Sequence, residues 1–399
     1  ARGPRGRCSF RRVLGRRGMT VGFVPPEYPY DRLDDARKAA AAHEGGMVDL
    51  SVGTPTDPPP PAVMAALAGD PLKPDEDRAA RGYPTSAGSL ALRDSIKEWT
   101  KTRFRVDLTV DDVAACVGTK EFVATTPQWL KLRYPDHDTV LYPSIAYPTY
   151  EMGAILAGLR PVAVPVDSQW RLDLDAIDPA DARRALMLWV NTPGNPAGGL
   201  DDLAAAGSWG QRHGVPVFSD ECYAEFTWDG APRTILGTGG GADGTEGVVA
   251  VHSLSKRSNM AGMRVGWYAG DSQIVGYLRE VRKHAGLMVP GPVQRAAAVA
   301  LADQRHVDEQ RGRYRERLEV FASIVEKIGG EVCLPGGGFY LWVRAPSGDG
   351  WEWASWWAEK AGVLVSPGTF YGEGGASHVR IAMVAPVERM ELVAKRLHL

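Results

Sequence analysis

Five consecutive residues, Ser253-Leu254-Ser255-Lys256-Arg257, carry the richest chemistry of this 399-residue chain, and Arg264 follows eight positions beyond the lysine. Cationic neighbours lower an amine's pKa, and a neutral amine condenses with an aldehyde to form a Schiff base. Two hydroxyls and a guanidinium suit a phosphate dianion. An aldehyde and a phosphate on one small molecule point to pyridoxal 5′-phosphate (PLP). The plain alternative is an exposed basic turn.

PLP chemistry also asks for an acid beside the pyridine nitrogen, to keep the ring protonated and electron-withdrawing. Val215-Pro216-Val217-Phe218-Ser219-Asp220-Glu221-Cys222-Tyr223 reads as a short buried strand ending in acids. In open α/β sheets ligands gather at the carboxyl ends of strands. Asp220 is therefore the candidate partner of the ring nitrogen and Tyr223 of the ring's phenolic oxygen; a helix cap is the competing role for Asp220. Upstream, the apolar run Ala185-Leu186-Met187-Leu188-Trp189-Val190 leads into the rigid turn Asn191-Thr192-Pro193-Gly194-Asn195-Pro196-Ala197-Gly198. Asn195 there can donate to the same oxygen. Gly118-Thr119-Lys120 leaves another strand and opens a helix, offering N–H groups and a hydroxyl to phosphate. Tyr147 follows the strand Thr139-Val140-Leu141-Tyr142-Pro143 and can stack on the ring.

These groups need a scaffold that brings them together. Strands and helices alternate over residues 113–270, the pattern of a mostly parallel sheet covered on both faces. Residues 237–247 are glycine-rich but lack the strand–turn–helix setting of a dinucleotide site, and read as a loop. Residues 70–81 read as a charged loop before Tyr83. The link to a smaller C-terminal domain is expected within 281–302. Gly336-Gly337-Gly338-Phe339-Tyr340-Leu341-Trp342-Val343 reads as a turn into a strand, and Trp351, Trp353, Trp356 and Trp357 as a packed helix face.

On these segments the chain resembles the class I/II aminotransferases of the PLP-dependent fold-type I group. Within that group it is most similar to the actinobacterial N-succinyldiaminopimelate aminotransferases. The closer likeness lies in Asp49-Leu50-Ser51-Val52-Gly53-Thr54-Pro55, Gly82-Tyr83-Pro84-Thr85, Ala146-Tyr147-Pro148-Thr149-Tyr150, Ser219-Asp220-Glu221-Cys222-Tyr223, Val251-His252-Ser253-Leu254-Ser255-Lys256-Arg257-Ser258-Asn259 and Arg282-Lys283-His284-Ala285-Gly286. It runs from about Phe23 to the C-terminus.

The resemblance implies an α/β fold, with a large domain built on a mostly parallel seven-stranded sheet and a smaller α+β C-terminal domain. The expected divisions are a basic extension (1–22), an N-terminal arm joining the small domain (23–60), the PLP domain (61–290) and the small domain (291–399). It implies that Lys256 forms the Schiff base and shuttles the substrate proton. Asp220 would meet the pyridine nitrogen, Asn195 and Tyr223 the phenolic oxygen, and Tyr147 the ring face. Gly118, Thr119, Lys120, Ser253, Ser255 and Arg264 would line the phosphate, with Tyr83 lent across a homodimer. Arg380 would grip the substrate α-carboxylate beside Asn195, where Gly53 lets the backbone approach. The implied reaction exchanges amino groups between glutamate and 2-oxoglutarate on one side and a succinylated diaminopimelate on the other, in lysine synthesis.

Two departures stand out: Ala197 occupies a position where the family usually has threonine, and no second arginine of the aspartate-transaminase type is evident. An aminotransferase for aspartate, aromatic amino acids or acetylornithine, or a C–S lyase, shares the same cradle and stays open. Arg257, Arg282 and Lys283 are candidates for anchoring a distal carboxylate, against a role as surface helix charges. A PLP-sensing regulator needs a DNA-binding domain ahead of the fold, for which the first twenty or so residues are too few.

Composition agrees with a globular enzyme: 44% hydrophobic, 24% charged. No apolar run approaches the roughly 18 residues of a membrane span. Cys8, Cys116, Cys222 and Cys333 show neither disulfide nor zinc spacing, so no metal and a cytoplasmic setting are expected. Seven arginines (Arg2, Arg5, Arg7, Arg11, Arg12, Arg16, Arg17) and no acid fall in residues 1–18, leaving the rest of the chain at −9 against −2 overall. Residues 1–18 are expected to precede a native start at Met19 rather than to form a nucleic-acid arm.

Overall fold

The computed structural model describes residues 22–69, 82–241 and 244–399. The basic N-terminal extension and the charged segment 70–81 lie outside the described residues.

A short strand, β1 (Val48–Asp49), precedes the seven strands of the large sheet: β2 (Val113–Cys116), β3 (Thr139–Pro143), β4 (Arg160–Val164), β5 (Ala185–Asn191), β6 (Val217–Asp220), β7 (Val248–Ser253) and β8 (Gly266–Gly270). Their order is β2-β8-β7-β6-β5-β3-β4. Only β8 runs against its neighbours; the rest are parallel. Every residue of β5, β6 and β7 is buried. That follows from their unbroken apolar sequences, which suit a sheet covered on both faces. One face, with Trp267, packs with Ile96, Trp99 and Ala297; the other, with Trp189 and Tyr268, packs with Phe122 and Tyr150. The expected mostly parallel seven-stranded sheet is thus present, and Cys116, Pro143, Asn191, Asp220 and Ser253 end their strands along one edge.

A second body holds the antiparallel strands β9 (Tyr340–Arg344), β11 (Ser366–Pro367) and β12 (His378–Ala382), and the parallel pair of β1 with β10 (Val363–Leu364). The β1–β10 pairing draws the N-terminal segment into this body. Asp57, just beyond it, is held bidentately by Arg317 at 2.7 and 2.8 Å from the long helix Arg305–Lys327. The helix Gly291–Ala302, expected to open the smaller domain, instead places Ala296, Ala297, Ala300 and Leu301 in the core beneath the large sheet. Its small side chains allow that close seat against Ile96 and Trp99. The tryptophans behave as packing: Trp353 and Trp357 are buried in the second core, and Trp351 lies against Phe370 beneath the Arg32 guanidinium. Among the described residues no helix is long and apolar enough to cross a membrane, and no cluster of side chains is suited to a metal ion.

Candidate active site

The helix Thr119–Arg133 begins directly past the end of β2, with Gly118 as its cap. Gly118 has φ +78° and supplies no capping side chain, so the first-turn N–H groups stay bare. A methyl group at this position would collide with the guanidinium of Arg264. Only glycine allows both the positive φ and the close approach. Arg264 is itself left-handed (φ 55°, ψ 55°) and donates through Nη1 to the Ala261 carbonyl at 2.8 Å. No carboxylate among the described residues pairs with it. At the end of β7, Ser253 Oγ accepts from the Ser255 amide at 3.0 Å. The bare first-turn amides thus lie beside Arg264, and Thr119 packs at Gly266, the strand partner of Ser253; these are groups that suit a dianion.

Lys256 follows within the short helix Leu254–Arg257. Burial pushes its amine down to about 8; Cys222 and Asp220 oppose this, while Arg380 and Arg264 add to it. The neighbouring Arg257 plays no part, contrary to the sequence expectation. It turns away to Glu225 at 3.2 Å, where Arg103 also binds at 2.7 Å. Lys256 Nζ donates to the Gly53 carbonyl.

Asp220 ends β6 and is buried. Its Oδ2 accepts from the Tyr150 hydroxyl at 2.9 Å, and its Oδ1 from the Cys222 amide at 3.2 Å. Burial raises its pKa, and the bonds from Cys222 and Tyr150 counter this. Asn191 fixes the floor: its Nδ2 donates to the Asp220 carbonyl at 2.9 Å and its Oδ1 accepts from the Asn195 amide at 2.8 Å. Tyr147 packs edge-on against Tyr150, ring centroids 5.9 Å apart. Tyr223 and Tyr340 share a hydroxyl–hydroxyl bond of 2.7 Å.

Arg380, on β12, is 3% exposed and has no acidic partner among the described residues. Nη1 donates to Asn195 Oδ1 at 2.8 Å; Nη2 donates to the Ser51 carbonyl at 2.5 Å and to Tyr30 Oη at 3.3 Å. Its guanidinium lies 4.3 Å from the Tyr340 ring centroid and 4.7 Å from that of Tyr371. Its Nε is buried without a hydrogen-bond acceptor. A buried cation with a donor to spare is a carboxylate site in waiting.

The sequence profile described as "Aminotransferase class I and II" matches residues 45–397. This chain belongs to the class I and II aminotransferases. It is 39% identical to the 4-dedimethylamino-4-oxo-anhydrotetracycline transaminase OxyQ of Streptomyces rimosus, over 93% of this chain and 99% of that one. It is 33% identical to the LL-diaminopimelate aminotransferase of Aquifex aeolicus, over 94% and 96% of the two chains. The structure of a probable N-succinyldiaminopimelate aminotransferase from Thermus thermophilus superposes with a TM-score of 0.82 at 31% identity, covering 93% of this chain and 99% of that one.

Class I and II aminotransferases depend on PLP, and this aminotransferase has the groups to hold it: a buried amine of lowered pKa, a buried carboxylate and a dianion cradle. Of the residues expected from the sequence, Asp220, Arg264 and Arg380 lie near enough to Lys256 to act on its amine, and Gly118 lies against Arg264. Tyr83 is fully exposed on the single chain. Lys120 offers the first-turn backbone, while its side chain swings out so that Nζ lies 5.3 Å from the Tyr28 ring centroid. Arg257 and Arg282 are neither anchors nor surface charges. Arg282 is buried against Glu121 at 2.6 and 2.9 Å. Lys283 sits at the surface, 3.7 Å from Glu280.

Sequence reasoning missed Tyr30, Asn191, Tyr150, Tyr340 and Tyr371. Two of these had a local signal. Tyr150 lies one helical turn from Tyr147, and Asn191 ends the strand before Asn195. Tyr30, Tyr340 and Tyr371 reach the site only through the packing of the second body.

Proposed function

We propose that this aminotransferase transfers the amino group of L-glutamate to N-succinyl-2-amino-6-oxopimelate, giving N-succinyl-LL-2,6-diaminopimelate for lysine and cell-wall synthesis. The observation that carries the reading is a second cation linked to Arg380 through two tyrosine rings. Lys120 Nζ lies over Tyr28, whose ring is 5.6 Å from Tyr30, and Tyr30 in turn bonds Arg380. Among the described residues Lys120 has no carboxylate partner. An extended dicarboxylate can therefore put its α-carboxylate on Arg380 and its distal carboxylate on Lys120. The 31% identity to a probable enzyme of this specificity and the diaminopimelate specificity of the A. aeolicus relative support it.

PLP supplies an electron sink for the substrate Cα. In this reading Lys256 carries the cofactor and moves the Cα proton, and Asp220 holds the pyridine nitrogen's proton. The side-chain Nδ2 of Asn195 and the Tyr223 hydroxyl would bond the phenolic oxygen, and Tyr147 would stack on the ring. Gly118, Thr119, the Lys120 amide, Ser253, Ser255 and Arg264 would hold the phosphate. Gly53 leaves its backbone open beside the α-carboxylate. Tyr83, exposed on one chain, completes the phosphate site of a second copy. Sedimentation of the purified protein should therefore give a dimer, and a monomer that turns over at full rate removes that role. The cytoplasm is the setting in keeping with Cys116, Cys222 and Cys333 as free thiols.

The deciding experiment follows the visible cofactor band. Glutamate should bleach it, and N-succinyl-2-amino-6-oxopimelate should restore it with the highest efficiency among the acceptors offered. Restoration only by oxaloacetate, an aromatic keto acid or an anhydrotetracycline ketone keeps the aminotransferase and discards the substrate.

A further inference from the structure

Tyr340 and Tyr223 come from different bodies of the molecule. Tyr223 follows the end of β6 in the large sheet, and Tyr340 opens β9 in the small one. Both rings are buried, and their hydroxyls meet at 2.7 Å. A phenol has a single proton to give. In an isolated pair either oxygen can donate, but the choice is forced once Tyr223 must spend its proton on a ligand oxygen: Tyr340 is then the donor.

Two further observations place Tyr340 where it can serve in that role. A methyl group on Gly53 would overlap the Tyr340 hydroxyl, so the hydroxyl lies directly against the Gly53 backbone. The Arg380 guanidinium stacks on the Tyr340 ring at 4.3 Å. A cation over a phenol ring draws electron density from the oxygen and makes its proton a better hydrogen-bond donor.

We propose that Tyr340 is a positioning residue that donates its hydroxyl proton to Tyr223, aims the Tyr223 proton at the cofactor's phenolic oxygen, and ties that oxygen to the carboxylate grip of Arg380. The proposal rests on the reading of Tyr223 given above. Chained hydroxyls polarise one another, so the inner bond strengthens the outer one. When a substrate carboxylate neutralises Arg380, its pull on Tyr340 weakens, the Tyr223 bond relaxes, and the phenolic oxygen becomes more basic. Carboxylate binding is thereby felt at the cofactor through two tyrosines.

The test uses the PLP-loaded protein and three variants: Tyr223→Phe, Tyr340→Phe and the double substitution. The readouts are the pH midpoint of the visible cofactor band and the PLP dissociation constant. Removing a donor to the phenolic oxygen leaves its charge more localised, so the proton shared with the lysine nitrogen is held to higher pH. Tyr223→Phe should raise the midpoint. Tyr340→Phe should raise it by a smaller amount, about half a pH unit, and weaken PLP binding by about three- to tenfold, the worth of part of one hydrogen bond. The double variant should titrate like Tyr223→Phe alone, because Tyr340 acts only through Tyr223. Saturating maleate should raise the midpoint in the wild-type protein and do so less in Tyr340→Phe.

Phenylalanine keeps the ring beneath Arg380 and removes one atom, so folding is checked only by confirming the band forms. A Tyr340→Phe midpoint equal to wild type, or a double variant whose shift equals the sum of the two, makes Tyr340 a packing residue and overturns the proposal. A Tyr223→Phe midpoint equal to wild type overturns the Tyr223 reading itself, and the relay with it.

Discussion

Replacing Lys256 by alanine should lower turnover by at least about 10⁴-fold, the upper range for loss of a positioned general base. The same change should barely alter the thermal stability of the PLP-free protein. Both expectations come from the surroundings of the amine. Burial holds it near 8, so at neutral pH a useful fraction is already the neutral nucleophile. Among the described residues no carboxylate forms an ion pair with it, and it bonds the Gly53 carbonyl. Truncation therefore leaves no orphaned charge, only an empty position where the Cα proton must be collected.

Proton exchange at Cα of glutamate, followed by loss of label, isolates that step from substrate binding. Exchange at the wild-type rate in Lys256→Ala would falsify Lys256 as the base. The wild-type protein stripped of PLP offers a matching pH test. Its folded amine loses its proton near 8 rather than 10.5, so the rate of PLP capture should climb as pH rises through about 8 and level off above it. A rate that climbs only near the ordinary lysine range would mean the amine is solvated, and the burial argument fails.

How far the sequence reaches can be judged from particular residues. Asp220, Asn195, Lys256 and Gly118 were legible because each sits at the junction of an apolar strand and a turn or helix. Strand ends in parallel sheets are where a ligand must lie. Gly118 was legible as a helix start, but its reason, clearance for Arg264, is a contact across 146 positions that no local pattern carries. Arg257 shows the opposite error. Its place beside Lys256 suggested an electrostatic effect on the amine, yet successive helical residues point apart. Its side chain is committed to Glu225 on the far side.

The aromatic walls around Arg380 were the least legible part. Tyr30 arrives from the N-terminal segment, Tyr340 from β9 and Tyr371 from the turn before β12, so their meeting depends on the second body's assembly. None stood at a strand–turn junction of the large sheet, where the sequence pattern points to a ligand. The helix Gly291–Ala302 was misassigned for a related reason. Its alanine-rich face carries no signal for which of two cores it will enter, and it shares the core beneath the large sheet with Ile96 and Trp99.

Arg380→Lys should lower kcat/KM for every α-amino acid and α-keto acid by about 10³-fold, while PLP affinity changes by no more than about threefold. A lysine keeps the charge but loses the planar pair of N–H groups. Two charge-assisted bonds to a carboxylate are together worth about 3–5 kcal/mol, which sets the expected loss. Arg380 is also the piece that holds its own surroundings in order. It donates to Asn195, Ser51 and Tyr30 at once and stacks between Tyr340 and Tyr371. An ammonium can satisfy at most some of these and cannot stack as a plane.

The loss should therefore appear in kcat as well as KM, since the carboxylate that remains bound is free to rotate about Cα and misalign the proton from Lys256. A simple amine without a carboxylate supplies the control. It never engages Arg380, so its slow reaction should be nearly the same in both proteins. A variant that keeps kcat/KM within tenfold for glutamate would place the α-carboxylate elsewhere, with Lys120 as the next cation to test.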